Sequence, residues 1–116
     1  MGELLIIKPD VDPVINDLRN RLIELNLNHY ASEAAEEMEF KNSSEFNEAV
    51  KRAMEICINC GVPVDENFRL IFKCSYETVE LDYKLSDLAY SLVQLNGSSV
   101  NPRVAHMQIE LLQNYH

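Results

Sequence analysis

The sequence predicts a mostly α-helical fold with a minor β part, an α+β domain of about five helices packed around one core. Two observations support this class. Apolar residues recur at helical spacing in several segments, and residues 68–85 alternate apolar and polar side chains as the two strands of a β-hairpin do. The chain has 116 residues and is 47% hydrophobic, which suffices for one core, so we expect a single compact domain over residues 1–116.

The N-terminal part predicts a short strand followed by a helix. The segment LLII at residues 4–7 suits a short buried strand. Asp12 can cap a helix that begins at Pro13, because proline has no N–H to lose in a first helical turn. Five apolar residues of this helix fall within about 100° on a helical wheel, so we expect them to face the core. They are Val14, Ile15, Leu18, Leu22 and Leu25. Ile23 and Leu27 lie off this stripe and are expected to meet another element.

Two further helices are predicted before the hairpin. Ser32 can cap a short helix that reaches about Phe40, and Ser43 or Ser44 can cap the next one. Gly61 can end the longer helix in a left-handed conformation. The expected buried face of this helix comprises Phe46, Ala49, Val50, Ala53, Met54, Cys57 and Cys60.

Strict alternation predicts the hairpin itself. One face of the first strand carries Phe68, Leu70, Phe72 and Cys74, and one face of the second carries Val79, Leu81, Tyr83 and Leu85. Glu80, Asp82 and Lys84 fall on the opposite face of the second strand. This period is typical of strands with one buried face, so we expect the apolar face to be covered.

Clear start and stop residues predict the last two helices. They are Ser86 with Asp87 at one start, Asn96 with Gly97 at the stop, and Asn101 with Pro102 at the second start. An Asn-Gly pair tolerates the left-handed conformation that ends many helices. The expected buried positions are Leu88, Leu92, Val93 and Leu95 in the first helix and Val104, Ala105, Met107, Leu111, Leu112 and Tyr115 in the second.

The charge balance argues against DNA as a direct ligand. Ten basic residues face nineteen acidic ones, for a net charge of −9, whereas binding to phosphates depends on Lys and Arg. We therefore expect weak or no direct DNA binding. The acidic surplus is densest in residues 32–48, which hold six Glu and one Lys. We interpret this segment as a solvated helix face, with a decoy surface that mimics nucleic acid as the alternative.

The sequence also bears on location and thiol state. It contains no run of about 18 apolar residues, and its start lacks the basic residues and long apolar stretch of a signal peptide. We therefore expect a cytoplasmic protein without membrane contact. An odd count of three cysteines then favours reduced thiols.

Cys57 and Cys60 form a CxxC pair at the end of the third predicted helix. A redox pair of this type is typical of a helix N-terminus, where the positive dipole end stabilises thiolate, and here the end is negative. We interpret both as small core residues. A zinc site is the alternative and would need Cys74 and a distant His as further ligands.

No catalytic constellation emerges from the sequence. Three histidines are scattered along the chain at His29, His106 and His116, and three glycines exclude a glycine-rich phosphate loop. We therefore expect a protein without catalytic residues, metal or cofactor, and not an enzyme.

Several short sequence segments follow one another in a characteristic order over about residues 30–113. A helix EFNEAVKRAMEICINCG is followed by DENF, the hairpin, the segment YKLSDLAYSLVQLNG and finally VAHMQ. In this order the chain resembles the bacterial DNA-damage-inducible protein D family, which is related to the BRO-type N-terminal domains of phage antirepressors. The matching positions are Phe46, Ala53, Cys57, Gly61, Phe68, Leu85, Ser86, Ala89, Leu92, Asn96, Gly97, Val104, Ala105 and Gln108.

The chain departs from the family pattern at charged surface positions. Asp87 stands where the family usually has Arg, and Asn67 stands where it has His. Ser98 and Ser99 follow Asn-Gly where the family usually has an acidic residue and then basic ones.

The resemblance implies a role in the DNA-damage response or in the regulation of mobile elements, through a DNA-handling protein. We therefore expect a non-enzymatic regulatory or protein-interaction module. The alternatives are an acidic decoy inhibitor of a nucleic-acid-binding protein and a sequence-specific DNA-binding regulator. The candidate partner-binding residues are Arg69, Lys73, Lys84, Asp87, Ser98, Ser99 and Arg103. The candidate structural residues are Cys57, Cys60, Gly61, Ser86, Asn96, Gly97, Asn101 and Pro102. Ile23 and Ile109 lie outside their helix stripes and could support a homo-oligomer.

Overall fold

The computed structural model describes residues 13–114. This part of the chain contains five helices and a three-stranded antiparallel sheet, which confirms the mostly helical α+β prediction. The elements are α1 (Pro13–Asn26), β1 (His29–Tyr30), α2 (Ala31–Glu37), α3 (Ser43–Asn59), β2 (Phe68–Ser75), β3 (Thr78–Leu85), α4 (Asp87–Leu95) and α5 (Pro102–Asn114). The predicted strand at residues 4–7, the predicted cap Asp12 and the predicted buried Tyr115 lie outside the described residues.

The predicted hairpin is present, and its register is regular throughout. Phe68 pairs with Leu85 at the base, and Ser75 pairs with Thr78 beside the two-residue turn. The apolar residues of both strands therefore share one face, as the alternation predicts. The two-residue strand β1, which the sequence does not reveal, pairs with Leu85 and Lys84 and gives the sheet order β1-β3-β2.

The core lies where α2, α3 and α4 meet the base of the hairpin. Small side chains dominate it, and alanine lets helix backbones approach closely. Its buried members are Ala31, Ala34, Ala49, Val50, Ala53, Cys57, Phe68, Leu85, Ala89 and Val93. Phe46 and Met54 of the predicted α3 face are half-buried against it. Cys60 is exposed, which corrects its interpretation as a core residue, because it is the C-cap residue that follows the last residue of α3 and so leaves the buried face of the helix.

Two helix starts differ from the prediction by one or two residues. Ser32 lies inside α2, whose first turn is fixed by a hydrogen bond of 2.8 Å from the backbone N–H of Tyr30 to the side chain of Glu33. Asn42 caps α3 in place of Ser43 or Ser44, because its side chain accepts the N–H of Glu45 at 2.9 Å.

The ends of α3 and α4 use glycine for different reasons. Gly61 has a φ of +73°, the left-handed conformation expected after a helix. Gly97 does not have a positive φ, so its predicted left-handed role is wrong. A side chain is excluded there for a steric reason: a Cβ atom would lie 2.5 Å from Cε1 of Phe40 and 2.8 Å from Cγ2 of Val104.

The predicted buried stripe of α1 is wrong, because it faces solvent. We call this set of residues the α1 stripe; its exposed fractions are Val14 66%, Ile15 59%, Leu18 56%, Leu22 63% and Leu25 71%. Ile23 and Leu27, on the other side of the helix, are buried instead. Ile23 therefore offers no surface for the oligomer contact that its position suggested.

The last two helices are also less buried than their patterns predict. Val93 and Val104 are fully buried, whereas Leu88, Leu111 and Leu112 are exposed. Leu111 and Leu112 are exposed because α5 contacts the body mainly through its first half, next to α4. Within residues 13–114, no helix combines the length and the apolar character that crossing a membrane requires.

Candidate functional site

The outer half of the hairpin carries an exposed apolar surface. Phe68 and Leu85 at the base are buried in the core, but the same sheet face continues beyond the helices that cover them. We call its exposed members the hairpin face; their exposed fractions are Leu70 47%, Phe72 63%, Val79 65% and Leu81 58%. The expectation that the whole apolar face is covered is therefore wrong. A patch of large apolar side chains on rigid paired strands is typical of a binding surface.

The opposite face of the hairpin contains a buried carboxylate. Asp82 is 2% exposed and accepts hydrogen bonds from the backbone N–H of Ser32 at 3.0 Å and from its hydroxyl at 2.6 Å. The ammonium of Lys73 lies 2.9 Å from the second oxygen. Burial alone would raise the pKa of Asp82, but the hydrogen bonds from Ser32, Lys73 and the N–H of Tyr83 outweigh it and lower the pKa.

Lys73 is held by two interactions. Its hydrogen bond to Asp82 raises the pKa of the ammonium. Its Nζ also lies 4.7 Å from the ring centroid of Tyr30, a cation–π contact. The side chain is thus fixed between β3 and the start of α2.

The other two basic residues of the hairpin bind α1. Nη1 of Arg69 lies 2.7 Å from Oε1 of Glu24, and Nζ of Lys84 lies 2.9 Å from Oε2 of the same carboxylate. Hydrogen bonds from Lys84 and then Arg69 lower the pKa of Glu24. A further ion pair of 3.0 Å joins Arg19 of α1 to Glu66 in front of β2. These charged contacts fix α1 against the sheet.

Asp87 forms a separate pair at the start of α4. Its Oδ1 lies 2.7 Å from Nε2 of His29, whose ring stacks on Tyr90 with centroids 4.3 Å apart. Ser86 caps the helix beside it, and its hydroxyl accepts the N–H of Ala89 at 3.1 Å.

Ser98 and Ser99 lie in the corner between α4 and α5. They line a cleft of about 590 Å³ together with Glu45 and Arg52 of α3. Glu45 accepts the backbone N–H of Ser98 at 2.9 Å and that of Lys41 at 2.8 Å. Burial acts to raise the pKa of Glu45, but the hydrogen bonds from these two N–H groups and from the side chain of Asn101, with the nearby charge of Lys41, outweigh it and lower the pKa.

Asn101 connects this corner to α2. Its amide is 2% exposed and donates to the carbonyl of Met38 at 3.0 Å and to the carboxylate of Glu45 at 3.2 Å. Its side-chain oxygen accepts the N–H of Arg103 at 3.0 Å and so caps α5, in which Pro102 is the first residue. Asn96 ends α4, and its side chain donates to the carbonyl of Leu92 at 2.7 Å.

Arg103 lies on the far side of α5. Its guanidinium pairs with Glu39 at 2.9 Å and borders a cleft of about 690 Å³ that Met107 and Gln94 also line. The seven candidate partner-binding residues therefore do not form one site. They lie in four places: the polar face of the hairpin, the start of α4, the α4–α5 corner and the cleft between α2 and α5.

The acidic segment of residues 32–48 is mostly exposed. Glu33, Glu36 and Glu37 of α2 all face solvent, as do Glu39 and Glu48. Glu45 is half-buried inside the corner. Of the exposed carboxylates, Glu33 accepts the N–H of Tyr30 and Glu37 accepts the side-chain amide of Gln94, while Glu39 and Glu48 pair with Arg103 and Arg52. The exposed glutamates agree with a solvated helix face, and they leave the decoy alternative open.

The thiols and histidines do not converge in the described part of the chain. Within residues 13–114, no three His, Cys, Asp or Glu side chains are placed to share a metal ion. Cys57 is buried and its pKa is raised, first by burial and then by the nearby Cys60. A raised pKa disfavours the thiolate that redox or nucleophilic chemistry needs.

Sequence reasoning missed the residues that organise these places. Asp82 falls on the polar side of a strand, so its pattern predicts exposure, and Glu24 and Glu45 look like ordinary surface acids. Each becomes a hydrogen-bond centre only when a distant element packs on it. The alternation of apolar and polar residues predicts the hairpin face, but it does not indicate how far along the strands the helices cover this face.

Comparisons with known proteins give no support for an assignment. The sequence matches no protein-family model. No curated protein and no solved structure matches it significantly. The resemblance to the damage-inducible family stays a prediction from sequence positions.

Proposed function

We propose that the chain is a non-enzymatic protein-interaction module that binds a protein of DNA metabolism or gene regulation through the hairpin face. The observation that carries this proposal is the exposure of Leu70, Phe72, Val79 and Leu81 on paired strands whose base is fixed in the core. Burying such side chains against a partner releases free energy of about 25 cal/mol per Å² of apolar surface.

The charges near the hairpin favour a protein partner over bare DNA. Arg69, Lys73 and Lys84 each form an ion pair with a carboxylate, either Glu24 or Asp82. Contact with a phosphate would require breaking those pairs. Since the whole chain also carries a net charge of −9, a direct DNA-binding role has little physical support.

The resemblance to the damage-inducible family supports the identity of the partner. It implies action on a DNA-handling protein rather than on DNA itself. The departures at Asp87, Ser98 and Ser99 lie in the α4 start and the α4–α5 corner, and the departure at Asn67 directly precedes β2 at the base of the hairpin. The four residues of the hairpin face are therefore not among the positions where the chain differs from the family.

A capture experiment with paired variants tests this proposal. Full-length protein is used as bait in a nuclease-treated extract of the cells that make it, so that DNA cannot bridge two proteins. Val79→Glu places a charge on the hairpin face, and Thr78→Glu places the same charge on the neighbouring residue of the opposite face. We expect wild type and Thr78→Glu to retain a recombination or gene-regulation protein that Val79→Glu loses. Equal retention by both variants, or capture of no DNA-handling protein, would contradict the proposal.

The exposed glutamates of α2 favour the acidic decoy as a second candidate function. A basic, nucleic-acid-binding protein would meet Glu33, Glu36 and Glu37 on one short helix. Salt separates the two proposals. Binding through the hairpin face should change little as ionic strength rises, whereas binding through glutamates should weaken steeply, because free charges are screened beyond about 10 Å at 0.1 M salt.

A further inference from the structure

Strand β2 lies at the edge of the sheet and is paired on one side only. The strand order is β1-β3-β2, so among residues 13–114 the strand Phe68–Ser75 pairs with β3 and with no other strand. Its register with β3 is regular over eight residues, and it contains no proline. Proteins generally shorten, twist or cover such an edge, because its free backbone groups can pair with another chain.

Hydrogen bonds just before β2 establish which backbone groups point to its open side. The carbonyl of Asn67 accepts the backbone N–H of Ser86, the residue after β3, at 3.1 Å. The N–H of Phe68 points the other way and donates to the carbonyl of Val64 at 2.8 Å. In an antiparallel pair the residues alternate between facing the neighbouring strand and facing away from it. Asn67 and every second residue after it therefore face β3.

Leu70, Phe72 and Cys74 consequently direct their N–H and C=O groups away from β3. Within residues 13–114 these groups have no hydrogen-bond partner. The side chains of the same three residues lie on the apolar side of the hairpin, where Leu70 and Phe72 belong to the hairpin face. One row of residues thus offers both backbone hydrogen bonds and apolar side chains. An extended strand is the occupant that uses both.

The opposite edge of the sheet is closed near its base. β1 pairs with Lys84 and Leu85. The N–H of Tyr83 donates to the carboxylate of Asp82 at 2.8 Å, and Ser32 of α2 binds the same carboxylate. These contacts leave only the outer half of β3 unpaired on that side, so the open side of β2 offers the longer row.

Lys73 does not protect the open side of β2. A lysine on an edge strand ordinarily keeps other strands away, because its charge resists burial. Here the ammonium reaches across the sheet to Asp82 of β3 at 2.9 Å and lies over the ring of Tyr30 in β1. Its charge is therefore held on the far side from the open row.

The strand that already pairs with β2 indicates the chemistry of a second one. Leu81 of β3 lies opposite Phe72, and Glu80 lies opposite Lys73. In this part of the hairpin, β3 therefore alternates apolar and acidic residues where β2 alternates apolar and basic ones. Because β2 presents the same side chains to a neighbour on its open side, a strand with the pattern of β3 fits there.

The charge of β2 favours a partner strand over a second copy of this chain. β2 carries Arg69 and Lys73 and no acidic residue, although the whole chain has a net charge of −9. An acidic residue opposite either cation on an added strand would have its Cβ about 5 Å away. That distance allows attraction while each cation keeps its present carboxylate. Pairing β2 with β2 of a second copy would add two more cations to the contact instead.

We infer that the partner binds by strand addition: an extended segment that alternates apolar and acidic residues pairs with the open side of β2. Its backbone bonds to Leu70, Phe72 and Cys74, and its apolar side chains extend the hairpin face. The inference rests on the proposed function, because it names the part of the partner that the hairpin face binds.

Hydrogen exchange of the full chain with a defined peptide tests the pairing. The probe is the synthetic peptide TVELDYEL, which copies β3 with glutamate in place of Lys84, so that an acidic residue can lie opposite Arg69. The control peptide VLYLTEDE has the same composition without the alternation. When about nine-tenths of the chain is bound to TVELDYEL, exchange at Leu70, Phe72 and Cys74 should slow about 10-fold. The control peptide should give no protection.

Two variants at one position separate strand addition from contact with side chains alone. Phe72→Val and Phe72→Pro both remove the aromatic ring, but only proline removes the outward N–H. That N–H is not part of the pairing with β3, and proline is tolerated at such positions of edge strands. Phe72→Pro should bind TVELDYEL at least about 10-fold more weakly than Phe72→Val, a difference of about 1.4 kcal/mol. Circular dichroism checks that both variants fold, and the exchange measurement on wild type does not depend on them.

Three results would overturn the inference. The first is the absence of protection at Leu70, Phe72 and Cys74 with TVELDYEL, or equal protection by the control peptide. The second is equal binding by the two folded variants. The third is protection of these amides by raised protein concentration alone, which would make a second copy the occupant. The proposed function fails on a different result, the capture of no DNA-handling protein from the extract, whatever the peptide does.

Discussion

The carboxylate of Asp82 is almost completely buried, and the ammonium of Lys73 reaches it at 2.9 Å from a side chain that remains half-exposed. The pair links β3 to β2 on the polar side of the hairpin, while Ser32 of α2 supplies two more hydrogen bonds. This arrangement fixes the hairpin on the helices and so supports the apolar face on its other side.

Removal of the Asp82 charge should destabilise the fold. Asp82→Asn loses the ion pair with Lys73 and leaves an amide N–H₂ facing other donors, at a cost of about 2–3 kcal/mol. Urea unfolding measures the change. Glu80→Gln, two residues away on the exposed part of the same strand, is the control and should stay within about 0.5 kcal/mol of wild type.

The same carboxylate predicts a loss of stability in acid. The folded-state pKa of Asp82 lies below the ordinary value of 3.8, so the stabilisation is present at pH values above 3.8 and is lost as the pH falls through the folded-state pKa. The pKa values of Glu24 and Glu45 are lowered as well and act in the same direction. The urea midpoint should therefore stay level above about pH 4.5, decline as the pH falls below the ordinary values of 4.5 for the two glutamates and 3.8 for Asp82, and decline less steeply in Asp82→Asn. An equal decline in both proteins would contradict the assignment to Asp82.

Gly97 should resist substitution for steric reasons. Gly97→Ala places a Cβ 2.5 Å from Cε1 of Phe40 and should cost about 1–3 kcal/mol through overpacking. Phe40→Leu should recover part of this loss, so a double-mutant cycle gives a favourable coupling energy. At Gly61 no atom lies within 4 Å of the added Cβ, and the cost there comes from its φ of +73° alone. Gly61→Asn, which tolerates that conformation, should therefore fold better than Gly61→Ala.

The cysteines should differ in reactivity. Cys60 and Cys74 are exposed, whereas Cys57 is buried and its raised pKa disfavours thiolate. Alkylation of the folded protein followed by mass spectrometry should give modification at Cys60 and Cys74, with Cys57 reacting only after unfolding. Rapid modification of Cys57 in the native state would show that the end of α3 opens readily.

Locally determined features could be predicted from the sequence. The shared face of Phe72 and Leu81 follows from a period of two, because alternation is a property of the strand backbone itself. The cap of Ser86 depends on a hydrogen bond three residues along the chain, which is equally local. The helical α+β class follows from the same local periodicities.

Features set by distant contacts could not be predicted. The apolar stripe of α1 predicts a helix face that packs against another element. The pattern does not indicate whether that element belongs to the same chain. The direction of α1 is decided by Ile23 and by the ion pairs of Glu24, whose partners Arg69 and Lys84 lie 45 and 60 residues away. The burial of Asp82 likewise depends on Ser32, 50 residues away. Five of the seven candidate partner-binding residues are charged, and each of these five forms an ion pair or a charged hydrogen bond within the described part of the chain.

A photo-cross-linking experiment tests most directly that the hairpin face binds a protein partner. A benzophenone amino acid replaces Phe72 in one variant and Glu80, on the opposite face of the hairpin, in another. The account predicts that irradiation in a nuclease-treated extract links the variant at position 72, but not the one at position 80, to a DNA-handling protein. No adduct at position 72, or the same adducts from both positions, would contradict it.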